Sequence, residues 1–236
     1  MRQAHVIGAE ALIRWNHPEE GLLPPAHFTL ALESGELCIE FGDWVLRQAL
    51  QQLDTWKAQG LTISVSVNIA GDHLQHPGFV QRLSDLLASY PNVSPGQLEL
   101  EVLETAALDD IAVVAEVFGQ CRQLGVSFSL DDFGTGYSSL TYFRRLPADV
   151  LKIDQSFIRD MLEDPEDMAI VQGVIGLTHA FKRIAIAEGV ETEAHGTALL
   201  KLGCELGQGY GIARPMRAEQ LPDWIKQYSL STAWQP

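Results

Sequence analysis

The chain has 236 residues, 46% of them hydrophobic, which is ordinary for one α/β barrel and enough for one sizeable core. Its 16 basic and 31 acidic residues give a net charge of −15. That disfavours nonspecific duplex binding, which runs on neutralising phosphates with Lys and Arg, so no DNA or RNA partner is expected. Three scattered cysteines, Cys38, Cys121 and Cys204, lack metal-site spacing and read as small core residues in a reducing compartment. Neither a signal peptide nor a long apolar span appears, so no membrane contact by this chain is expected. A cytoplasmic location is expected, either free or as the cytoplasmic part of a larger, membrane-anchored protein.

The opening, His5 to Ile13, is a short apolar run interrupted by Glu10, closed by Arg14-Trp15 and a turn at Asn16-His17-Pro18. Pro24-Pro25 starts a short helix through Leu32, since proline is tolerated in a first turn. Leu46, Ala49, Leu50, Leu53 and Trp56 recur at helical spacing between Trp44 and Lys57, with Gly60 just past the end. Thr62 to Asn68 alternates as a strand. Pro77 to Tyr90 follows as a helix, and Gln97 to Leu103 alternates again, with Glu99 and Glu101 on one side. Leu108 to Leu124 predicts one helix ending at Gly125.

Val126, Phe128 and Leu130 then mark a strand that ends on two adjacent carboxylates, Asp131 and Asp132. Neighbouring aspartates at the end of a buried strand repel each other. A bound cation turns that repulsion into coordination. The glycine-containing segment beyond them, Phe133-Gly134-Thr135-Gly136 and Tyr137-Ser138-Ser139, lets the backbone approach a ligand closely. Asp149 to Asp154 is a strand with Lys152 inside it, and Asp164-Pro165-Glu166 starts a helix through Phe181. Arg183 to Ala187 is a strand ending at Glu188-Gly189. Glu193 to Leu202 is a helix, Glu205 to Tyr210 a short last strand, and Ala218 to Tyr228 a last helix. Trp44, Trp56 and Trp224 fall on helix faces and read as core.

Strands alternating with helices imply a parallel sheet, and their number favours a closed α/β barrel over an open sheet, within one domain covering 1–236. In such a barrel the functional residues lie at the C-terminal strand ends. Those ends carry Glu10, Asn68, Glu101, Asp131 with Asp132, Lys152, Glu188 and Gln208. A ring of oxygen donors with a single lysine calls for hard cations, Mg²⁺ or Mn²⁺ rather than Zn²⁺. Two such ions about 3.5–4 Å apart clamp the attacking and leaving oxygens of a phosphoryl displacement. The residues alone therefore predict a two-metal phosphohydrolase.

Glu10-Ala11-Leu12 with Ile13-Arg14-Trp15 resembles the signature of the EAL family of bacterial cyclic-di-GMP phosphodiesterase domains. So do the strand ending at Asn68, Leu98 to Thr105, Asp131 to Leu140 and Leu151-Lys152-Ile153-Asp154. The match continues in Glu188-Gly189-Val190-Glu191 and in Gln208-Gly209-Tyr210 with Arg214-Pro215-Met216. The resemblance implies a (β/α)8 TIM-like barrel that hydrolyses cyclic di-GMP to linear pGpG with a metal-activated water. It is the output domain of a bacterial second-messenger signalling protein on this reading.

Carried across by motif, Glu10, Asn68, Glu101 and Asp131 would hold one metal, and Asp131 would bridge to a second held with Asp132 and Glu188. Lys152 would orient the water or handle its proton. Arg14 would meet a substrate phosphate, and Leu12, Gln208 and Pro215 would line the substrate's guanine side. The loop residues Phe133, Gly134, Thr135, Gly136, Tyr137, Ser138 and Ser139, with Glu191, would couple metal binding to dimerisation, so a homodimer is expected. Ca²⁺ is expected not to support turnover.

The chain departs from the family in three places. Only nine residues precede Glu10, where family members carry a further strand with a substrate-contacting Gln-Pro segment. The expectation is a barrel whose first N-terminal strand is missing or trimmed. Leu103 stands where the family commonly has Thr, and Gly211-Ile212-Ala213 replaces bulkier residues. None of these removes a metal ligand. The alternative function is a catalytically weak or inactive cyclic-di-GMP receptor. Receptors of that kind typically lack a metal ligand or the loop, and this sequence keeps both.

Overall fold

The computed structural model of the chain describes residues 5–32, 35–135, 140–228 and 234. In chain order the elements are β1 (Gly8–Ala11), β2 (Trp15–His17), β3 (Gly21–Leu23), α1 (Gly35–Ala58) and β4 (Ser64–Asn68). Next come α2 (Gly71–Leu74), α3 (Phe79–Ala88), β5 (Leu98–Leu103), α4 (Glu104–Asp109), α5 (Ile111–Gln123) and β6 (Ser127–Phe133). The last are α6 (Leu140–Arg145), β7 (Val150–Ile153), α7 (Gln155–Asp160), α8 (Pro165–Ala180), β8 (Ile184–Ala187), α9 (Glu193–Leu202), β9 (Leu206–Gly207) and α10 (Leu221–Gln227). Short 3-10 turns occupy Pro25–His27, Thr29–Leu32, Pro95–Gln97 and Ala218–Gln220.

Packing divides the chain into two compact units, one of Ile7–Val102 with Asp109–Ser127, the other of Met1–Val6, Leu103–Leu108 and Phe128–Pro236. In the first, β4 pairs in parallel with β1 on one side and β5 on the other. The buried faces of β4 (Val65, Val67) and β5 (Leu98, Leu100, Val102) meet a helical layer. That layer supplies Leu46, Leu50 and Leu53 from α1, Phe79 and Leu83 from α3, and Val114 and Phe118 from α5. Each such fully buried side chain contributes about 1.5–3 kcal/mol relative to exposure.

In the second unit β6, β7, β8 and β9 pair in parallel in that order. All four residues of β7 are buried, as a strand covered on both faces requires. Val171, Val174 and Ile175 of α8 are buried as well, and α8 packs on β7 and β8. Asp164 caps α8 by accepting from Glu166 N at 2.8 Å, with Pro165 at the first position. All three cysteines are buried, as small core residues.

Several elements differ from the sequence expectation. α1 begins at Gly35, two turns before Trp44, because its first buried positions are the small residues Cys38 and Gly42 rather than large apolar ones. Trp44 is exposed and stacks on Phe41 at 6.1 Å instead of joining the core; the buried stripe of the helix runs on through Leu46, Ala49 and Leu53. The helix expected from Leu108 to Leu124 is two, broken at Asp110, whose φ of −138° is non-helical. The Asp110 carboxylate accepts from Val113 N at 3.3 Å, capping α5. The turn after Arg14 is an antiparallel hairpin of β2 and β3. The last strand spans only Leu206–Gly207.

Candidate active site

The two units each gather part of the predicted set. In the first, parallel register places Asn68 opposite Glu101 and Glu10 opposite Ser66. Asn68 Nδ2 donates to Glu10 Oε1 at 3.0 Å and to Glu101 Oε2 at 3.4 Å, so one amide group spans two carboxylates. With its NH₂ spent on them, the carbonyl oxygen is the amide's remaining ligand atom. Glu101 is buried, and its carbonyl accepts from Ile69 N at 2.8 Å. Glu99, read as structural, is half-buried two residues earlier on the same strand.

In the second unit a backbone irregularity assembles the site. Adjacent residues of a regular strand point to opposite faces. Here Leu130 pairs with Leu151 while Phe133 pairs with Ile153, so β6 carries one residue more than β7 over that stretch. Asp132 absorbs the bulge with a φ of 53°, in the left-handed region that Asp tolerates better than most residues. Such a conformation costs about 1–3 kcal/mol and is held by its surroundings. Carboxylate oxygens of Asp131, Asp132 and Glu188 consequently lie within 4.8 Å of one another.

Lys152, only 1% exposed, is the counter-ion of this group. Its Nζ is 2.8 Å from Glu188 Oε1 and 3.1 Å from Asp131 Oδ1. Three carboxylates around one ammonium leave an excess of negative charge. Burial, the Asp131 charge and a hydrogen bond to Asp154 push the Asp132 carboxyl up to about 6. Burial also acts to raise Asp154, but hydrogen bonds from the Ser156 hydroxyl and amide and from Asp132 outweigh it and hold Asp154 low. Asp154 was not among the residues expected in the site.

Glu104 was also missed. Buried at the start of α4, its Oε2 accepts from Gly134 N at 2.9 Å. It thereby fixes the backbone immediately after the paired aspartates. Gly134 has a φ of 105° and sits against the Phe157 ring, so no side chain fits there without displacing that ring. Phe133 is buried 5.6 Å from the Phe143 ring, and Thr135 Oγ1 donates to Asp132 O at 2.9 Å. Gly136, Tyr137, Ser138 and Ser139 lie outside the described residues.

The expected substrate-side residues are less tightly engaged. Leu12 is exposed, and Arg14 donates from Nη1 to Ile13 O at 2.7 Å. Gln208 continues the sheet through its backbone, donating to Ala187 O at 2.8 Å and accepting from Val190 N at 2.9 Å. Pro215 is exposed beside Arg214, whose guanidinium stacks over Tyr210 at 4.7 Å. Glu191 is exposed, with its N–H donating to His195 Nδ1 at 3.4 Å.

Hard cations fit this donor set. Asp131 Oδ1 is buried and, among the described residues, accepts no hydrogen bond; its Lys152 contact is an ion pair by distance. A carboxylate oxygen in that condition, with two further carboxylates within reach, suits an oxygen-seeking divalent ion.

The chain is also similar to known proteins. The chain is 39% identical over 220 residues to "Cyclic di-GMP phosphodiesterase PA2567" of Pseudomonas aeruginosa, covering 93% of this chain and 37% of that protein. It is 41% identical over 217 residues to "Bifunctional diguanylate cyclase/cyclic di-GMP phosphodiesterase MucR" of the same organism, covering 92% of this chain and 32% of that protein. The chain thus spans about a third of the length of these curated relatives. The solved structure "PaMucR Phosphodiesterase, c-di-GMP complex" superposes with a TM-score of 0.85 at 41% identity, over 90% of this chain and 86% of that one. The fold class is accordingly the α/β, TIM-like barrel class. The family model described as EAL domain matches residues 1–215. The chain belongs to the EAL domain family.

Proposed function

We propose that this chain hydrolyses one phosphodiester of cyclic di-GMP to give linear pGpG. The observation that carries the proposal is the convergence of Asp131, Asp132 and Glu188 around the buried Lys152. Relatives that match nearly the whole chain are named cyclic di-GMP phosphodiesterases, which supports the same reading.

Two divalent cations, Mg²⁺ or Mn²⁺, are the proposed cofactors. Glu10, Asn68 and Glu101 form one donor group, and Asp131, Asp132 and Glu188 the other. Divalent cations held there would supply charge neutralisation for the phosphate and a more acidic water as the nucleophile. Lys152, held between Asp131 and Glu188, keeps its ammonium fixed and water-poor, so it can orient that water and manage its proton. Glu188 accepts from Lys152 and so sets the lysine's position. Arg14, a planar fork, is the proposed phosphate ligand. Leu12, Gln208 and Pro215 are proposed to contact the guanine side.

Dimerisation through the segment from Phe133 to Ser139, coupled by Glu191, belongs to the same proposal, as does operation in the cytoplasm. Among the described residues no helix is long and apolar enough to cross a membrane. Chromatography of the products tests the function. Incubation with cyclic di-GMP yields linear pGpG with Mg²⁺ or Mn²⁺ and none with chelator. Cyclic di-GMP bound but unchanged in the presence of both ions overturns the proposal in favour of a receptor.

A further inference from the structure

Beyond the carboxylates, the second unit holds a strained residue that the proposed centre does not account for. Lys182, exposed just after α8, has a φ of 56°, in the left-handed region that a lysine seldom adopts. The strain belongs to a helix stop. Lys182 N–H donates to His179 O at 3.1 Å and Arg183 N–H to Thr178 O at 2.8 Å, the pair of bonds that closes a helix through a left-handed residue. The chain then enters β8 directly, and Ile184 N–H donates to Asp149 O at 3.0 Å. Backbone bonds on both sides thus fix Arg183, whose side chain reaches α6.

Arg183 Nη2 donates to Phe143 O at 2.7 Å and to Leu146 O at 2.6 Å. These carbonyls lie at the C-terminal end of α6, where the helix supplies no donors of its own. α6 is six residues long, too short to be stable by itself. The same guanidinium lies 3.9 Å from the centre of the Phe143 ring and covers its face. Phe181 meets Phe143 at 5.0 Å in a T-shaped pair, and Phe133 lies 5.6 Å away. Phe143 is therefore boxed in, with only 2% of its surface exposed.

Phe133 directly follows Asp132, and its backbone rejoins the register with Ile153 beyond the bulge. The left-handed Asp132 persists only where its surroundings hold it. Glu104 holds the Gly134 amide, and the Phe143 ring packs against the Phe133 side chain. We infer that Arg183 is a positioning residue for the carboxylate cluster, acting through Phe143 and Phe133 on the bulge that brings Asp132 to Asp131 and Glu188. The inference rests on the reading of those three carboxylates as cation ligands. A lysine at 183 would keep the charge but not the flat surface that covers the ring.

Calorimetric titration of the full chain with Mn²⁺, followed at the site that Asp131→Asn removes, tests the inference without reference to turnover. Arg183→Ala should weaken Mn²⁺ at least about fivefold while the circular dichroism spectrum is retained, and Phe143→Leu should do the same. Residues acting along one route are not additive, so the double variant should lose little more than either single one, not the product of about 25-fold. Arg183→Lys should fall between Arg183→Ala and the native chain, and carries the test if Arg183→Ala does not fold. A folded Arg183 variant with native Mn²⁺ affinity, or a double variant showing the full product, would overturn the inference alone. A native chain that binds no Mn²⁺ would overturn the cation reading and this inference with it.

Discussion

The Glu104 carboxylate holds the Gly134 amide at 2.9 Å, tying the start of α4 to the backbone that leaves the paired aspartates. Glu104 is only 3% exposed, so this hydrogen bond is made away from water. A charged acceptor on a backbone donor contributes about 1.5–3 kcal/mol. Removing it also leaves the Gly134 N–H without that partner. Glu104→Ala should lower turnover of cyclic di-GMP at least tenfold with helix content preserved. Glu104→Gln keeps an oxygen acceptor and should fall between it and the native chain. Equal rates for the two variants would show that this bond does not position the site.

Lys152 is buried between Asp131 and Glu188, and its loss strands their charges. Breaking a buried ion pair from one side costs about 3–5 kcal/mol. Lys152→Met should lose turnover and melt at a lower temperature in chelator. Mn²⁺ should restore part of that loss, because the cation replaces the missing positive charge. A variant whose melting point ignores Mn²⁺ would contradict the assignment of these carboxylates as ligands.

His73, fully buried, joins α2 to α1 through Nε2, which lies 2.8 Å from Asp43 Oδ1, and the Asp43 carboxylate also meets Arg82 Nε at 3.0 Å. Burial lowers the His73 pKa from its ordinary 6.5, outweighing the Asp43 hydrogen bond and charge that raise it; Arg82 and His76 also lower it. Its Nδ1 faces the Gly42 backbone and, among the described residues, has no hydrogen-bond partner, so a proton there would find no acceptor among them. Below 6.5 the unfolded chain binds more protons at this histidine than the folded one. This contribution to stability is therefore present above pH 6.5 and lost as pH falls toward the lowered folded value. Urea midpoints at pH 7.5 and 5.5 should show the loss, and His73→Gln should flatten it. A midpoint that rises on acidification only in the native chain would reverse the sign argued here.

Ca²⁺ should occupy the donor groups without supporting hydrolysis. It accepts more ligands in looser geometry than Mg²⁺, and a phosphoryl displacement needs a narrow alignment. Added to a Mg²⁺ reaction, Ca²⁺ should inhibit in competition with Mg²⁺. Product formation in Ca²⁺ at the Mg²⁺ rate would refute this.

Much of the site was legible because parallel strands present their C-terminal residues in a fixed order. Glu10, Asn68 and Glu101 come together through β-register alone, which alternation in the sequence reveals. Asp131, Lys152 and Glu188 followed for the same reason. The bulge at Asp132 was not legible, since an alternating pattern describes a regular strand and carries no mark of one extra residue. Glu104 was hidden because its partner is a backbone amide thirty positions away. The early turns of α1 were missed because Gly42 is buried against the His73 ring, a position with no side chain to count in an apolar periodicity.

The most direct measurement is the rate of pGpG formation by Asp131→Asn against the native chain at saturating Mn²⁺. The substitution preserves size while removing the charge at the buried oxygen that accepts no hydrogen bond among the described residues. The account predicts a loss of at least about a hundredfold, an interaction of about 2.7 kcal/mol or more in the transition state, with the fold unchanged. A rate within threefold of the native chain would contradict the assignment of Asp131 as a metal ligand and the two-cation chemistry built on it.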